Sequence, residues 1–489
     1  MVQMLRPWKT ILPVDLHHQV AVYQQIADGI IAEIKKGRLQ PGAALPGSRI
    51  LAADLGVNRK TVVLAYEGLI AAGWLEAADK KGTFVAAELP SLKKQPAKTR
   101  SSFEFNETAV STLHPSNTGG LIVFNDGLPD VRLAPLDELA KAYKRIFQQK
   151  ARWRMLGYGP AQGEERLRIA IAAMLSSKRG MNTGKDTVCI TRGSQMALYL
   201  TAQTLIRPGD HVAIESPGYL PAWQTFVQAG AHMIHVPVDE KGLMVDELEH
   251  ICRSRKLKAV YVTPHHQFPT AVSMKAERRL KLIELSNRYG FAIIEDDYDH
   301  EFHFDAKSLL PLASHEHAAN VIYISSLSKL VAPAVRIGYV TGPAAFISSL
   351  AQLRGLVDRQ GDPIMEQAIA ELMENGAISR HAKRAFQVYK ERREAMNDYL
   401  LLHLGKQVTF SKPEGGLAYW VKMNRPVNTA ELAARLAKKG VSVMPTERFS
   451  FTGEPLNALR LGYASLNLQE LEEGIRILSA EMAISRSKK

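Results

Sequence analysis

Three short stretches of this 489-residue chain carry side chains that could do chemistry together. Thr191-Arg192-Gly193-Ser194-Gln195 reads as a strand running into a helix, where free backbone N–H groups and the helix dipole favour a phosphate. Taken alone, it is equally an ordinary strand-to-helix turn. Glu295-Asp296-Asp297-Tyr298 puts carboxylates at the end of a second apolar run. Ser325-Ser326-Leu327-Ser328-Lys329 ends a third, with Arg336 seven residues past the lysine. A phosphate cradle, a strand-end carboxylate, a lysine and an arginine are what pyridoxal 5′-phosphate requires. The lysine forms an aldimine, the carboxylate keeps the pyridine nitrogen protonated, and the other groups hold phosphate. Acidic strand ends also serve as metal ligands, and Glu301, His300, His303, His315 and His317 stand nearby. Those histidines lack a ligand spacing on one element, so the organic cofactor is expected and a metal centre is not.

The elements that must position these groups follow from apolar patterning. Residues 187–191, 211–215, 259–263, 291–295, 321–325 and 336–341 read as buried strands, with helical stretches such as 195–206 and 275–289 between several of them. That alternation predicts a mostly parallel α/β sheet, whose ligands sit beyond the carboxyl ends of the strands.

The first ninety residues follow a different pattern. Tyr23, Ile26, Ile30 and Ile34 recur at helical spacing before Gly37. A second helix is expected with Ser48 as its cap and Gly56 as its stop, and a third after Asn58, carrying Val62, Tyr66 and Leu69 inward. Two short apolar runs then flank Asp79-Lys80-Lys81-Gly82, which predicts a two-stranded wing. Three helices and a wing make a winged helix-turn-helix. Asn58, Arg59, Lys60 and Thr61 open the third helix, where base edges and phosphates would be met. Arg49 opens the second helix, and Lys80 and Lys81 sit at the wing. Singly these are solvated charges, but as an ordered set they point to double-stranded DNA.

Residues 88–120 have the polar composition of a tether. The only cysteines, Cys189 and Cys252, fit no disulfide framework or zinc spacing, so a reduced, cytoplasmic setting is expected. No stretch has the roughly 18 apolar residues of a membrane span, so no membrane partner is expected. The net charge of +13 favours anionic partners without choosing among them. Ten basic against eight acidic residues fall in positions 1–90, and 48 against 39 after position 120. Much of the excess therefore lies in the larger domain, including the run Arg380, Lys383, Arg384, Lys390, Arg392 and Arg393. That run is either a solvated helix face or a surface for passing DNA.

Val20 to Val85 resembles the winged-helix domain of GntR-type bacterial regulators, through Leu45-Pro46-Gly47-Ser48-Arg49, Leu55-Gly56-Val57-Asn58-Arg59, Thr61-Val62 and Gly82-Thr83-Phe84-Val85 among others. The resemblance implies DNA contacts from Arg49, Arg59 and Thr61, with Gly82 at the wing turn. Leu121 to about Ser479 resembles class I/II aminotransferases of fold type I, with a large subdomain to about residue 350 and a smaller α+β one from about 365. Carried over residue by residue, Lys329 becomes the aldimine lysine, Asp296 the partner of the pyridine nitrogen, and Tyr298 that of the phenolic oxygen. Gly193, Ser194, Gln195, Ser326 and Arg336 become phosphate ligands, and Tyr219 stacks on the ring. Tyr158 would reach the other subunit's phosphate site, implying a homodimer, and Arg460 would grip a substrate carboxylate.

One departure stands out. Where the enzymes show Asn-Pro-Thr-Gly, this chain has His265-His266-Gln267-Phe268-Pro269-Thr270-Ala271, which replaces the asparagine with Phe268 and argues against efficient transamination. That form is similar to the MocR-type regulators, in which a GntR winged helix precedes an aminotransferase-like domain. The expected protein is a cofactor-dependent regulator sensing pyridoxal phosphate, or an amine or amino acid that forms an external aldimine with it. The alternative is an active aminotransferase with an accessory DNA-binding domain.

Overall fold

A computed structural model of the chain describes residues 12–16, 18–78, 82–90, 122–148, 152–305 and 309–484. Their contacts fall into two compact units, one before residue 110 and one from there on. Lys80, Lys81 and residues 91–120 of the expected tether lie outside the described residues.

In the first unit, helices α1 (Val22–Lys35), α2 (Ser48–Leu55) and α3 (Arg59–Ala71) enclose Ile26, Ile30, Leu51, Val62 and Leu69. Tyr23, expected on the same stripe, stays exposed, because it stands in the first turn of α1, at the end of the helix. Ser48 is the first helical residue of α2 rather than its cap. Gly47 takes the cap position without a side-chain hydrogen bond, and the Ser48 hydroxyl instead accepts from Arg59 Nε at 3.4 Å. Gly56 closes α2 at φ +68°, a left-handed turn that glycine enters without Cβ strain. The Asn58 side chain caps α3 by accepting from the Lys60 N–H at 2.9 Å. Strands β1 (Leu75–Ala78) and β2 (Gly82–Val85) pair antiparallel as the wing. The Pro-Gly-punctuated segment before α2 adds an edge to it, with Gly42 N–H donating to Val85 O and Leu45 N–H to Thr83 O.

The second unit is built on strands β4 (Val188–Thr191), β5 (His211–Ser216), β6 (His232–Asp239), β7 (Gly242–Leu243), β8 (Leu257–Val262), β9 (Ala292–Asp297), β10 (Val321–Ser326) and β11 (Gly338–Thr341). They form one sheet in the order β4-β11-β10-β9-β8-β5-β6-β7. β10, β9, β8, β5 and β6 run parallel, and β11 runs against both its neighbours. The central strands are apolar except at their ends, because helices cover both faces of the sheet, among them α4 (Ser194–Leu205) and α5 (Ala276–Tyr289). Arg336, expected to open β11, lies before it at φ +52°, at the end of a short 3-10 turn.

The C-terminal portion carries the antiparallel strands β12 (Val408–Thr409), β13 (Ala418–Met423) and β15 (Ala458–Gly462). Beside them lies a parallel pair, β3 (Ile122–Phe124) with β14 (Val441–Val443), so the start of the unit is sewn to its end. Helix α6 (Ala377–Tyr399) carries the basic run, and the structure splits it. Arg380, Lys383, Arg384 and Lys390 are exposed. Arg392 and Arg393 are buried, the first donating to Asp130 at 2.9 Å and the second to both Asp305 oxygens at 2.7 Å. These two arginines hold the fold together and are not available to an outside phosphate. Truncating Ile30 to alanine should cost the winged helix about 2–5 kcal/mol, the range for emptying a packed aliphatic site. Hydrogen exchange of α1 and α3 amides, quickened relative to those of β8 and β9, is the measurement.

Candidate cofactor site

β9 ends in three consecutive acids, and alternation along the strand sends neighbours to opposite faces. Asp296 is buried, and its Oδ2 accepts from the Tyr261 hydroxyl at 2.9 Å. Its Oδ1 is buried and meets no donor. Burial pushes this carboxyl up to about 7, against the Tyr261 hydrogen bond, which favours the anion. Glu215, at the end of β5, is likewise raised to about 7 by burial and accepts from the Thr263 backbone and hydroxyl.

Lys329 stands in the turn after β10, and its Nζ donates to the Gly127 carbonyl at 2.6 Å. Burial lowers the amine's pKa, while the charges of Asp126 and Asp299 oppose the shift. An amine so placed gives up its proton more easily than a surface lysine, as a nucleophilic amine must.

The phosphate end forms where β4 runs into α4. Gly193, at φ +80°, precedes the first helical residues Ser194 and Gln195, whose N–H groups point out of the helix end. A Cβ on Gly193 would lie 2.9 Å from the Arg336 guanidinium, so only glycine lets that arginine lie across the turn. Arg336 Nη2 donates to Arg192 O at 2.7 Å. Gln195, Tyr219 and Arg336 share with Thr191 and Arg192 a cleft of about 1060 Å³. Ser326 Oγ accepts from the Ser328 N–H at 2.9 Å.

Several expected residues have other partners. The Tyr298 hydroxyl donates to the His266 carbonyl at 2.8 Å. Arg460 is buried, donating through Nε to Asp126 O at 3.0 Å and through Nη1 to Pro269 O, with its guanidinium 4.5 Å over the Phe268 ring. Phe268 also packs edge-on against Tyr219, Tyr298 and Phe449. Tyr158 is not drawn into the site of its own chain. It is 82% exposed, with Arg359 4.9 Å over its ring.

Tyr261, Gly127 and Glu215 escaped the sequence reading. Tyr261 sits mid-strand as an ordinary β residue, and Gly127 is tied to Lys329 only by the fold. On the first unit Arg49, Asn58, Arg59 and Lys60 are exposed and Thr61 is half-buried. Gly82 opens β2 at φ +117°.

The residues fit pyridoxal phosphate. The unanswered Asp296 oxygen calls for a cationic donor such as a protonated ring nitrogen, and the α4 terminus with Arg336 suits a phosphate. When bound, the cofactor supplies an electrophilic carbonyl and an electron-accepting ring. Lys329 would offer its amine to that carbonyl, Asp296 would hold the ring proton, and Tyr219 and Phe268 would exclude water from the ring.

Fold and site together define an aminotransferase-like domain preceded by a winged helix. The model for aminotransferase class I and II matches residues 121–478, and that for bacterial regulatory proteins of the gntR family matches residues 22–85. The chain is 28% identical to the probable rhizopine catabolism regulatory protein MocR of Rhizobium meliloti, over 97% of each chain. It is 31% identical to the HTH-type transcriptional regulator TauR of Rhodobacter capsulatus, over 92% of this chain and 94% of that one. It also resembles the α-aminoadipate aminotransferase LysN of Thermus thermophilus, solved with N-(5′-phosphopyridoxyl)-L-leucine. There the TM-score is 0.71 and the identity 28%, covering 76% of this chain and 96% of that one. The chain belongs to the aminotransferase class I and II family and, within it, to the MocR-type regulators that carry a GntR domain.

Asp296→Asn should weaken pyridoxal phosphate binding about 10–100-fold, the worth of a hydrogen bond between charged partners, read by absorbance titration. Without cofactor the sign reverses. Because its folded pKa is raised, Asp296 favours the folded chain fully below about pH 4 and loses that contribution as pH rises to about 7. The asparagine variant should therefore lose less stability over that interval, measured by urea denaturation.

Proposed function

We propose that the protein is a pyridoxal-phosphate-dependent transcriptional regulator whose hold on DNA depends on the cofactor, or on an amino compound that condenses with it. The observation that carries this reading is the buried Asp296 oxygen without a donor, placed with Lys329 and the α4 terminus in a chain that also has an exposed basic α3. Arg49, Asn58, Arg59, Lys60 and Thr61, with Lys80, Lys81 and Gly82, would read the operator. Gly193, Ser194, Gln195, Tyr219, Asp296, Tyr298, Ser326, Lys329 and Arg336 would hold the cofactor. A ligand shifts DNA affinity only through a difference in its affinity for two arrangements of the protein.

A homodimer is part of this reading. Leu156, Tyr158 and Leu356 are 62%, 82% and 87% exposed, apolar side chains that a second copy would cover. Tyr158 would then serve the partner's phosphate site. A cytoplasmic location accords with DNA as the target, and no helix among the described residues is long and apolar enough to cross a membrane.

Efficient transamination is disfavoured by the Phe268 ring under Arg460 and by the two carbonyls that already accept from its Nε and Nη1. The deciding experiment measures affinity for the upstream DNA of the protein's own gene with and without pyridoxal phosphate and a panel of amino acids and amines. Turnover with a 2-oxo acid is followed in parallel. A ligand-dependent change in affinity without turnover is expected, and steady turnover with unchanged DNA affinity would establish the enzyme instead. Arg59→Ala should weaken operator binding by about 1–3 kcal/mol, the worth of one good base contact, while leaving cofactor absorbance intact.

A further inference from the structure

Behind the cofactor-facing side of β9, four histidines gather from two loops. His265 and His266 follow β8, and His300 and His303 follow β9. The ligand-capable atoms of His265, His266 and His303 all lie within 4.8 Å of one another. His265 and His266 are buried, and His303 is partly exposed.

Two distances give the cluster its character. His266 Nδ1 lies 2.7 Å from Asp299 Oδ1, so the carboxylate fixes the ring with its proton on that side and a lone pair on Nε2. That Nε2 lies 3.3 Å from His303 Nδ1. Two nitrogens bound tetrahedrally at about 2.0–2.1 Å from one ion stand roughly 3.3–3.4 Å apart, so this pair already has the spacing of a shared ligand edge. A hydrogen bond between two core histidines would account for the pair alone. It does not account for the third imidazole beside them, nor for the carboxylate anchoring the first, which is how metal-binding histidines are oriented.

A second grouping, His265, Asp297 and His300, is less suited to a cation. Asp297 Oδ2 already accepts from the Tyr323 hydroxyl at 2.6 Å and His300 at 2.8 Å, and the Arg179 guanidinium lies 3.8 Å away. His300 instead supplies access. It stacks on His265 at 4.5 Å and lines, with Glu301, an open cavity of about 930 Å³.

We propose that His265, His266 and His303 bind one divalent transition-metal cation, with Asp299 orienting His266 and solvent completing the coordination. Three imidazoles and no thiolate suit zinc, nickel or copper rather than calcium or magnesium. The ion takes the place of the proton between His266 Nε2 and His303 Nδ1, and that proton leaves to solvent. The site adjoins the cofactor groups, since the Tyr298 hydroxyl donates to the His266 carbonyl, but its ligands are not among them, and metal binding stands or falls independently of the regulatory reading.

The test uses the full chain loaded with pyridoxal phosphate, stripped of metal, then dialysed against graded zinc chloride with metal content measured per chain. One zinc per chain is expected, with X-ray absorption giving a nitrogen and oxygen shell near ~2.0–2.1 Å and no sulfur. His303→Gln should weaken binding at least tenfold, and Asp299→Asn by about 10–100-fold as for other orienting carboxylates. His303 is partly exposed, so that variant should keep its fold, checked by circular dichroism. Changing both His315, partly buried, and His317, exposed, which pack on each other outside the cluster, to alanine should leave binding unchanged. The proposal is overturned if the wild type shows no saturable binding, if His303→Gln binds zinc as well as wild type, or if the zinc is lost with His315 and His317.

Discussion

A carboxylate held in a dry interior with one oxygen unanswered governs the larger domain. Desolvating a charge without a partner costs several kcal/mol, so such a group either takes up a proton or waits for a cation. Asp296 does the first on its own, since burial, helped by the charges of Asp297 and Asp299, raises its carboxyl to about 7. The neighbouring groups sharpen the demand without meeting it. Tyr261 answers one oxygen, and no donor among the described residues reaches the other. Glu215 stands near enough for its charge to be felt, so the strand ends favour a positive guest.

β9 makes this economical because consecutive residues on a strand face apart. Asp296 looks toward the cofactor groups, while Asp297 looks away, toward Tyr323, His300 and Arg179. Arg179 is itself buried and reaches Glu301 on the same loop. One strand end thus separates two polar centres, one short of a cation and one already supplied with it. Asp297 is held well below the usual carboxylate range despite its burial, chiefly by His300 and His265, whereas Asp296 is pushed the other way. The backbone between them keeps the two titrations on opposite faces of the sheet.

How much of this could be read in advance depended on whether the signal was local. The start of α3 after Asn58, Gly56 in the left-handed turn and the parallel run through β9 and β10 follow from side chains acting within a few positions of themselves. Lys329, Asp296 and Gly193 were legible for a related reason, since each sits at a strand end that topology sends to one edge. Contacts made across the fold left no trace in the order of residues. The Lys329 bond to Gly127 spans some two hundred positions. Arg392 and Arg393 looked like their exposed neighbours because a helix shows its buried side only once something packs on it. The histidines offered no spacing to read, because two loops bring them together.

The turn Asn125-Asp126-Gly127 ties together more of the molecule than its size suggests. Its three carbonyls accept in order from Gly462 N–H, Arg460 and Lys329, and the strand just before it pairs with β14. That strand, β3, ends at Phe124, three residues before the Gly127 carbonyl that takes the lysine amine. A displacement of β3 would therefore fall on the same peptide groups that hold Lys329. By mechanical reciprocity, whatever draws the amine off Gly127 loosens the end of β3 and its pairing with β14. The turn behaves as a knot in a rope, through which a pull at one end is felt as play at the other.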